Sequence, residues 1–533
     1  MSLDLEEKIE NNFEEKEIEK KEKSLLKSNK DNQRQIKNKK SKIIQNLFLE
    51  LIIAILIFAS LGIRWAFNNF DNCSIESMLF QLSEPLEGTN DEVVKEGIVN
   101  IIGYGFVVLV SVNVIYFVFT WILRKIIKNK TRIIKIIKVV LILSFIITNI
   151  VYIFIKSDFK TFWKNQTDTS NLYEENYVDP NSVSIKFPEE KRNLIFIILE
   201  SMEVSYADTS NGGVMETNLI PELTNLMEEN INFSHNSDTI SGAHNFSGTN
   251  WTVAALVSEM TGIPLKLSIN GNDYGKFKNF LPGATTLGDI LEKQGYNQMF
   301  ICGSPISFGG RDKFFNQHGN YEILDYDTAV STGRYTGEKQ NWGFIDSYLY
   351  EYTKEELLRL SKEDEPFNVT LLTADTHHPN GYLCEDCGTE HNKKYKNVIS
   401  CASKKVVEFV EWIKEQDFYE NTTIVILGDH PTMSTDFADV FSDEYKRTTI
   451  NCFINSAITE CNKYNRSISS MDMFPTILAS IGAEIEGDRL GIGTNLFSDK
   501  QTLAEELTPD GLNHFLVKKS DFYNSNILKT KDK

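Results

Sequence analysis

The chain has 533 residues and a formal net charge of −19 at pH 7. This length admits several domains, and the acidity argues against a general nucleic-acid-binding protein, so we expect no nucleic-acid partner. The first part departs from the average, because residues 1–45 are dense in lysine and glutamate and contain few large apolar side chains. Such a composition predicts a solvated helix or a disordered cytoplasmic tail, with partner binding as the alternative.

Three apolar segments follow the tail, near residues 46–63, 98–123 and 137–155. Each approaches the roughly 20 residues that a helix needs to cross a hydrocarbon core. The first begins too far from the N-terminus for an ordinary signal peptide and lacks a small-residue cleavage site. Three such segments in so short a stretch favour a membrane anchor, residues 46–156, over the buried helices of a soluble domain.

The charges between these segments predict the orientation of the anchor. The flank before the first segment and the loop between the second and third are basic, whereas the loop between the first and second is acidic. Because positive loops stay in the cytoplasm, the N-terminus is expected inside and everything after residue 156 outside, in an extracellular or periplasmic space. The charged residues are Lys37, Lys39, Lys40, Lys42, Arg124, Lys125, Lys128, Lys130, Arg132 and Lys135 on the basic side, and Asp71, Glu76, Glu84, Glu87, Asp91, Glu92 and Glu96 on the acidic side.

All seven cysteines fall in the predicted exterior parts, where an oxidising compartment permits disulfides. The sequence does not fix their connectivity. A zinc site in Cys384-Glu-Asp-Cys387 is a weaker alternative, since it lacks a second matching half. The candidate disulfide pairs are Cys384 or Cys387 with Cys401, and Cys452 with Cys461.

The exterior part is predicted to be a large α/β domain. Residues 157–190 form a polar linker, and residues 191–500 alternate apolar strands with helical stretches, which is typical of a mostly parallel central sheet. Residues 501–533 are a polar C-terminal tail to which we assign no chemistry. The predicted strands are 194–199, 297–302, 367–373 and 422–427, and the predicted helices are 286–294, 400–415 and 472–482.

Two of these strands end in groups that bind metals. The apolar run 193–199 ends at Glu200, and the run 422–428 ends at Asp429 and His430. Open α/β sheets collect their ligands at the carboxyl ends of their strands. Carboxylate oxygens and imidazole nitrogens suit Mn²⁺, Zn²⁺ or Mg²⁺, so these three residues predict a metal site.

A hydroxyl-bearing segment lies between these two strands. Residues 247–258 begin with small polar residues and continue with apolar ones, which predicts a loop that enters a helix at Thr252. A hydroxyl there would lie beside helix N–H groups, and a metal bound to the same oxygen would lower its pKa and make it a nucleophile. The alternative is that Thr249 or Thr252 is only a helix N-cap.

Three more residues follow strand ends at the same predicted edge. His377 and His378 come after the strand 367–373, and Arg311 comes after the strand 297–302. A guanidinium pairs well with phosphate, and a histidine can protonate a leaving alkoxide. Each residue alone is compatible with a structural role; their convergence favours a functional one.

Four motifs in chain order resemble those of the membrane-anchored phosphoglycerol transferases. This family includes lipoteichoic acid synthases and the enzymes that decorate periplasmic glucans, and it belongs to the alkaline phosphatase and sulfatase superfamily. The resemblance covers about residues 175–500 and is closer to the glucan-decorating branch, on the evidence of Tyr177-Val-Asp-Pro and Phe187-Pro-Glu-Glu-Lys-Arg. The four motifs are Asn193-Leu-Ile-Phe-Ile-Ile-Leu-Glu-Ser-Met-Glu203, Gly248-Thr-Asn-Trp-Thr252, Thr376-His-His-Pro-Asn-Gly381 and Leu427-Gly-Asp-His430.

The resemblance implies a manganese-type metal, with zinc and magnesium as alternatives, and a threonine nucleophile. The metal would be held by Glu200, Asp429, His430 and the nucleophile, which the motif places at Thr252 and, less well, at Thr249. The remaining implied contacts, to the phosphoglycerol head group, are Arg311, His377 and His378.

The implied reaction has a lipid donor. The nucleophile would attack phosphatidylglycerol at the membrane surface, and diacylglycerol would leave, protonated by a histidine such as His377. A hydroxyl of a glycan or polyglycerolphosphate chain would then take the glycerol phosphate.

Three alternatives stay open at this point: a zinc-dependent phosphoethanolamine transferase, a catalytically idle membrane protein that binds glycan or a cell-wall assembly partner, and a secreted phosphodiesterase or phosphatase. The Cys/Ser-x-Pro-x-Arg signature of sulfatases is absent from the sequence, which counts against sulfate ester hydrolysis.

Overall fold

The N-terminal part of the chain is helical. In the computed structural model the described residues are 3–70, 73, 75, 78–79, 91–127, 130–266, 279–378, 380–434, 437, 440–442 and 445–528. The first helices are α1 (Leu3–Asn69), α2 (Asp91–Gly97), a π-helical segment (Ile98–Gly103), α3 (Tyr104–Ile126) and α4 (Thr131–Lys156).

Three helical stretches have the length and apolar composition that a membrane crossing requires: Lys20–Asn69, Val93–Ile126 and Thr131–Lys156. Most of the large apolar side chains along α3 and α4 are exposed, as expected of surfaces that meet lipid rather than water. These helices contain the three predicted segments and suggest a membrane protein. The number of crossings and the orientation stay predictions, and Asp71, Glu76, Glu84, Glu87 and Lys128 lie outside the described residues.

The chain divides into two compact units, Met1–Ile63 with Gly97–Ile153 and Arg64–Glu96 with Phe154–Lys533. The second unit contains the α/β fold. Its helices are α5 (Phe159–Thr167), α6 (Leu172–Asn176), α7 (Pro221–Glu229), α8 (Thr252–Thr261), α9 (Leu287–Lys293), α10 (Arg311–Gln317), α11 (Tyr326–Ser331), α12 (Asp346–Leu360), α13 (Lys394–Lys414), α14 (Met473–Ser480), α15 (Leu503–Leu507) and α16 (Pro509–Leu516).

A six-stranded sheet forms the centre of this unit, with the strand order β3-β2-β4-β1-β5-β6. The first five strands in that order are parallel, and β6 runs antiparallel to β5 at one edge. The predicted mostly parallel α/β sheet is therefore confirmed. The strands are β1 (Asn193–Leu199), β2 (Asn297–Cys302), β3 (Glu322–Leu324), β4 (Phe367–Leu372), β5 (Thr422–Gly428) and β6 (Asn451–Ile454).

Both faces of the sheet are covered, which is why its strands read as continuous apolar runs. Along β1, Leu194, Phe196 and Ile198 point into one buried cluster, and the alternate residues Ile195 and Ile197 point into a second cluster on the other face. The helices α8, α9 and α14 cover the first face. The second is covered by α7, α12 and α13.

The segment after residue 500 contributes to the first of these clusters. Leu503, Leu512, Leu516, Tyr523 and Ile527 are all buried there. The sequence analysis assigned this segment to a polar tail, but its polar residues cover an apolar stripe that packs on the domain.

The cysteines are connected only in part as predicted. Cys387 and Cys401 form a disulfide, so the predicted zinc site on Cys384 and Cys387 is not supported. The predicted Cys452–Cys461 pair is wrong in this structure. Cys452 is buried on one face of the sheet, whereas Cys461 packs against the cluster on the other face.

Replacing Leu516 by alanine should lower the stability of the α/β domain, because this side chain is 1% exposed in the core. Loss of a buried leucine costs about 2–5 kcal/mol, which thermal unfolding monitored by circular dichroism would detect as a lower midpoint. The matched control is Leu358→Ala on the surface of α12, where the side chain is 42% exposed. Equal midpoints for the two variants would show that the C-terminal segment does not belong to the folded domain.

Candidate active site

Three buried side chains meet at the carboxyl ends of β1 and β5. The register pairs Leu199 with Gly428, so Glu200 and Asp429 follow neighbouring strands at the same level. The His430 Nε2 atom lies 3.6 Å from Glu200 Oε1 and 3.4 Å from Asp429 Oδ2. The structure thus brings together the three residues that the sequence analysis proposed as metal ligands.

Thr252 completes this cluster from the first turn of α8. Its Oγ1 donates a hydrogen bond to Glu200 Oε2 at 3.1 Å and lies 3.4 Å from His430 Nε2. The residue at the N-cap of α8 is Trp251, and no side chain caps the helix. The N-cap alternative for Thr252 is therefore not supported.

Thr249 occupies a different environment. Its buried hydroxyl accepts a hydrogen bond from the Phe246 N–H at 2.8 Å and donates to the Phe246 carbonyl at 3.2 Å. Both bonds lie within its own turn. Thr249 therefore stabilises the loop, while Thr252 faces the acidic cluster.

Close backbone packing holds this loop in place. Gly248 has φ +84°, and a Cβ atom there would lie 2.8 Å from the Leu265 carbonyl oxygen. The Asn245 side-chain amide donates to the Thr249 carbonyl at 3.1 Å and to the Asp429 carbonyl at 3.0 Å. These contacts fix the start of α8 against the end of β5, and with it the position of Thr252.

Ser201 holds the two carboxylates in place. Its backbone N–H donates to Asp429 Oδ1 at 2.7 Å, and its hydroxyl donates to Glu200 Oε1 at 2.7 Å. The residue that makes both bonds has φ +53°, a left-handed conformation that is unfavourable for a non-glycine residue. Such strain at a strand end is typical of functional sites.

The two buried carboxylates of the cluster, Glu200 and Asp429, are only partly neutralised by the described residues around them. Asp429 Oδ2 is buried and has no hydrogen-bond partner among the described residues. Burial raises the pKa of Asp429, and the neighbouring Glu200 carboxylate raises it further. Burial alone would also raise the pKa of Glu200, but the charges of His377 and His430 and a hydrogen bond from Ser201 bring it below its usual value.

The chemistry of this donor set fits a divalent cation. One ligand atom each from Glu200, Asp429 and His430 lies within 4.8 Å of the others. The Nδ1 atom of His430 lies 3.0 Å from the Pro431 carbonyl, which can only accept, so a neutral ring presents its Nε2 lone pair to the cluster. A cation bound there would also supply the partner that Asp429 Oδ2 lacks.

Two histidines lie beside the cluster. His377 Nδ1 lies 2.9 Å from the His378 carbonyl, and its ring packs against Trp342 at 4.3 Å between centroids. His378 is buried, stacks on His377 at 4.5 Å and meets the ring of Phe70 edge-on at 4.9 Å. Burial lowers the pKa of both histidines, although the Glu200 charge raises that of His377.

Arg311 is buried at the start of α10. Its guanidinium donates to the carbonyls of Phe308 and Pro305 at 3.0 and 2.9 Å and to Ser304 Oγ at 2.9 Å. It makes no ion pair with any carboxylate that the structure describes. Its positive charge lowers the pKa of His377, so the two side chains lie within electrostatic range. A buried cation with only neutral partners suits an anionic ligand.

Sequence reasoning missed four residues of this site. Ser201 follows the glutamate that was selected, and its left-handed backbone has no sequence signal. Asn245, Trp342 and Phe70 lie in loops or at a helix end, far along the chain from the motifs. Only the fold brings them to the site.

A comparison with protein families identifies the family of this domain. Residues 192–483, more than half of the chain, match the family model described as Sulfatase. The chain belongs to the sulfatase family. This domain is of the alkaline phosphatase superfamily, as the four motifs indicated, and that superfamily is metal-dependent.

Curated proteins named phosphoglycerol transferase I are similar to this chain. The protein from Salmonella choleraesuis strain SC-B67 is 29% identical over 328 residues, which cover 60% of this chain and 40% of that protein. The protein from Escherichia coli O127:H6 is 28% identical over 327 residues, with the same shares. The chain therefore spans less than half the length of these relatives.

Solved structures of the superfamily are also similar. A protein of the alkaline phosphatase superfamily from Vibrio parahaemolyticus has a TM-score of 0.44 at 22% identity, over 58% of this chain and 72% of that one. The lipoteichoic acid synthase LtaP from Listeria monocytogenes has a TM-score of 0.46 at 17% identity, over 61% and 81% of the two chains.

Replacing Asp429 by asparagine should raise the melting temperature of the protein without metal and lower it, relative to the parent, when metal is bound. A carboxyl whose pKa is raised by folding stabilises the protein at pH below its unfolded value near 3.9, and that stability is lost as the pH rises through the folded value. In EDTA at pH 8, Asp429→Asn should therefore melt about 2–4 °C above the parent. With saturating Mn²⁺ the parent should melt above the variant, since the cation binds only the folded site.

The control for this experiment is Asp364→Asn at an exposed position. It should follow the parent under both conditions. If Mn²⁺ stabilises Asp429→Asn as much as the parent, Asp429 is not a metal ligand.

Replacing Ser201 by alanine should weaken metal binding, because Glu200 loses the hydroxyl that orients it. Loss of such a supporting hydrogen bond reduces metal affinity about 10–100-fold. Titration calorimetry with Mn²⁺ measures this directly, with the exposed Ser237→Ala as the matched control. An unchanged affinity in Ser201→Ala would exclude a supporting role for this hydroxyl.

Proposed function

We propose that this chain is a metal-dependent phosphotransferase. It moves glycerol phosphate from phosphatidylglycerol to a hydroxyl of a glycan or polyglycerolphosphate acceptor, through a covalent intermediate on Thr252. The observation that carries this proposal is the contact of the Thr252 hydroxyl with Glu200 and His430 at the start of α8. The curated relatives named phosphoglycerol transferase I support the choice of the transferred group.

Glu200, Asp429, His430 and Thr252 would hold the cation, for which we propose Mn²⁺, with Zn²⁺ and Mg²⁺ as alternatives. When bound, a divalent cation supplies positive charge that lowers the pKa of a hydroxyl and offsets charge on a phosphoryl oxygen.

In the first step Thr252 Oγ1 attacks the phosphorus of the donor. Its proton passes to Glu200 Oε2, to which the hydroxyl already donates. The bond from phosphorus to the diacylglycerol oxygen breaks, and that oxygen takes a proton from a protonated His377. The Glu200 charge favours this protonated ring, which burial otherwise disfavours by lowering the pKa of His377. The product on the protein is glycerophospho-threonine.

In the second step an acceptor hydroxyl attacks the same phosphorus. His377, now neutral, takes the acceptor's proton, and the bond from phosphorus to Thr252 Oγ1 breaks. Thr252 recovers its proton from Glu200. The same two groups thus exchange their acid and base roles between the steps, and the resting protein is restored.

Arg311 and His378 are proposed to bind the head group. The guanidinium of Arg311 has no carboxylate partner among the described residues and can pair with the phosphate of the donor. Both ring nitrogens of the buried His378 lack hydrogen-bond partners in the described part of the chain, so they are available to glycerol hydroxyls.

The proposed location is a cell membrane, with the N-terminus in the cytoplasm and the catalytic domain outside. The Cys387–Cys401 disulfide supports an oxidising surrounding for the domain. An anchored domain suits a donor that is itself a membrane lipid. Membership of the sulfatase family does not imply sulfate hydrolysis here. The Cys/Ser-x-Pro-x-Arg signature of sulfatases is absent from the sequence, and a threonine stands at the candidate nucleophile position.

Replacing Thr252 by alanine should abolish diacylglycerol release from phosphatidylglycerol vesicles in the presence of Mn²⁺. Loss of a covalent nucleophile costs at least about 10³-fold in rate. Thin-layer chromatography of the released lipid provides the measurement. The matched control is Thr249→Ala, which should retain release within about tenfold, because among the described residues its hydroxyl bonds only to Phe246 in its own turn.

Full release by Thr252→Ala would refute the proposed mechanism. The same assay with phosphatidylethanolamine vesicles tests which head group the protein accepts. Diacylglycerol release from these vesicles alone would make the protein a phosphoethanolamine transferase. Free glycerol phosphate as the only second product would make water the acceptor and the protein a phosphodiesterase.

A further inference from the structure

Three cysteines lie together at α13, and one of them, Cys401, belongs to this helix. Their Sγ atoms all lie within 4.8 Å of one another. Cys387 and Cys401 are joined as a disulfide, and the Sγ of the buried Cys384 lies 3.3 Å from that of Cys387. The free thiol of Cys384 is thus in contact with an existing disulfide.

A lysine is placed to activate this thiol. The Lys405 ammonium lies 3.0 Å from Cys384 Sγ, and its side chain is mostly buried on α13, one turn after Cys401. Burial alone would lower the pKa of Lys405, but the hydrogen bond to Cys384 and the charge of Asp375 raise it, so the ammonium keeps its charge. A nearby ammonium stabilises the thiolate, which is the form that attacks a disulfide.

We propose that Cys384, Cys387 and Cys401 form a thiol–disulfide exchange site, in which Cys384 is the attacking thiolate. Its Sγ attacks Cys387 Sγ, the Cys384–Cys387 bond forms, and the Cys387–Cys401 bond breaks. Cys401 leaves as a thiolate and takes up the proton that Cys384 released to solvent. The number of disulfides is unchanged, so the step needs no external oxidant or reductant.

A metal ion is the competing occupant of three neighbouring sulfurs. Two observations favour exchange. A disulfide already uses two of the three sulfurs, and disulfide sulfurs are poor ligands compared with thiolates. In addition, the Lys405 ammonium lies 3.0 Å from Cys384 Sγ, and its positive charge would repel a cation bound to that sulfur.

The exchange site is connected to the histidine-bearing turn. Lys405 Nζ also lies 3.6 Å from Asp375 Oδ2, and Asp375 precedes Thr376, His377 and His378. When Cys384 is oxidised, its sulfur can no longer become a thiolate beside Lys405, whereas the ion pair of Lys405 with Asp375 remains. The state of the cysteines thus changes the charge balance next to this turn.

The test is disulfide mapping of the full chain, purified without reductant and held at pH 7. An excess of N-ethylmaleimide traps free thiols, and mass spectrometry of the unreduced peptides identifies the links. Exchange predicts two species: Cys387–Cys401 with label on Cys384, and Cys384–Cys387 with label on Cys401. In Cys384→Ser, the label on Cys401 should disappear.

Lys405→Met should slow the labelling of Cys384 at least about tenfold, because the thiolate loses its ammonium. Labelling of the half-buried Cys461 in the same molecule serves as the internal standard. The matched control is Lys404→Met, whose exposed side chain lies next to Lys405 in sequence and should leave the rate unchanged.

Two results would overturn the proposal. Absence of label on Cys401 in the parent would show that the disulfide does not exchange. Three freely labelled cysteines together with about one zinc per chain, measured by plasma mass spectrometry after a chelator-free preparation, would show a metal site instead.

Discussion

The site depends on one electrostatic constraint, which is that Glu200 and Asp429 are buried side by side. Two neighbouring carboxylates in a low-dielectric interior cannot both stay ionised unless positive charge is supplied. Ser201 donates a hydrogen bond to each carboxylate, yet Asp429 Oδ2 has no hydrogen-bond partner among the described residues. A divalent cation held by these residues would relieve this constraint, and it would account for the retention of so unfavourable a pair.

The strands, turn and helix around Glu200 and Asp429 hold these two carboxylates side by side. The parallel register of β1 and β5 brings the two carboxylates to the same level, and continuous apolar strands covered on both faces make that register rigid. Ser201 has an unfavourable left-handed backbone conformation and donates a hydrogen bond to each of the two carboxylates. The first turn of α8 then delivers Thr252 to the same point. Remote hydrophobic packing therefore positions the Thr252 hydroxyl, the proposed nucleophile, beside the two carboxylates.

Much of this arrangement could be predicted from the sequence, and the exceptions have physical reasons. Strands buried on both faces leave a strong signal, so β1, β2, β4 and β5 and the residues at their ends were found. The strands β3 and β6 were missed, since short edge strands of three and four residues resemble loops. The predicted helix 400–415 begins instead at Lys394, because the buried face of α13 continues through Tyr395 and Val398.

The side-chain environments could not be predicted in the same way. Thr249 and Thr252 are three residues apart with the same chemistry, and only the fold shows that one hydroxyl bonds to its own turn while the other contacts Glu200. The pairing of cysteines likewise depends on which face of the sheet each one occupies, as Cys452 and Cys461 show.

The most direct test of the account is mass spectrometry of the full chain after incubation with phosphatidylglycerol and Mn²⁺ without acceptor. The account predicts a glycerophosphate adduct, mapped by peptide fragmentation to Thr252. An adduct on Thr249, or none while the donor is consumed, would contradict it.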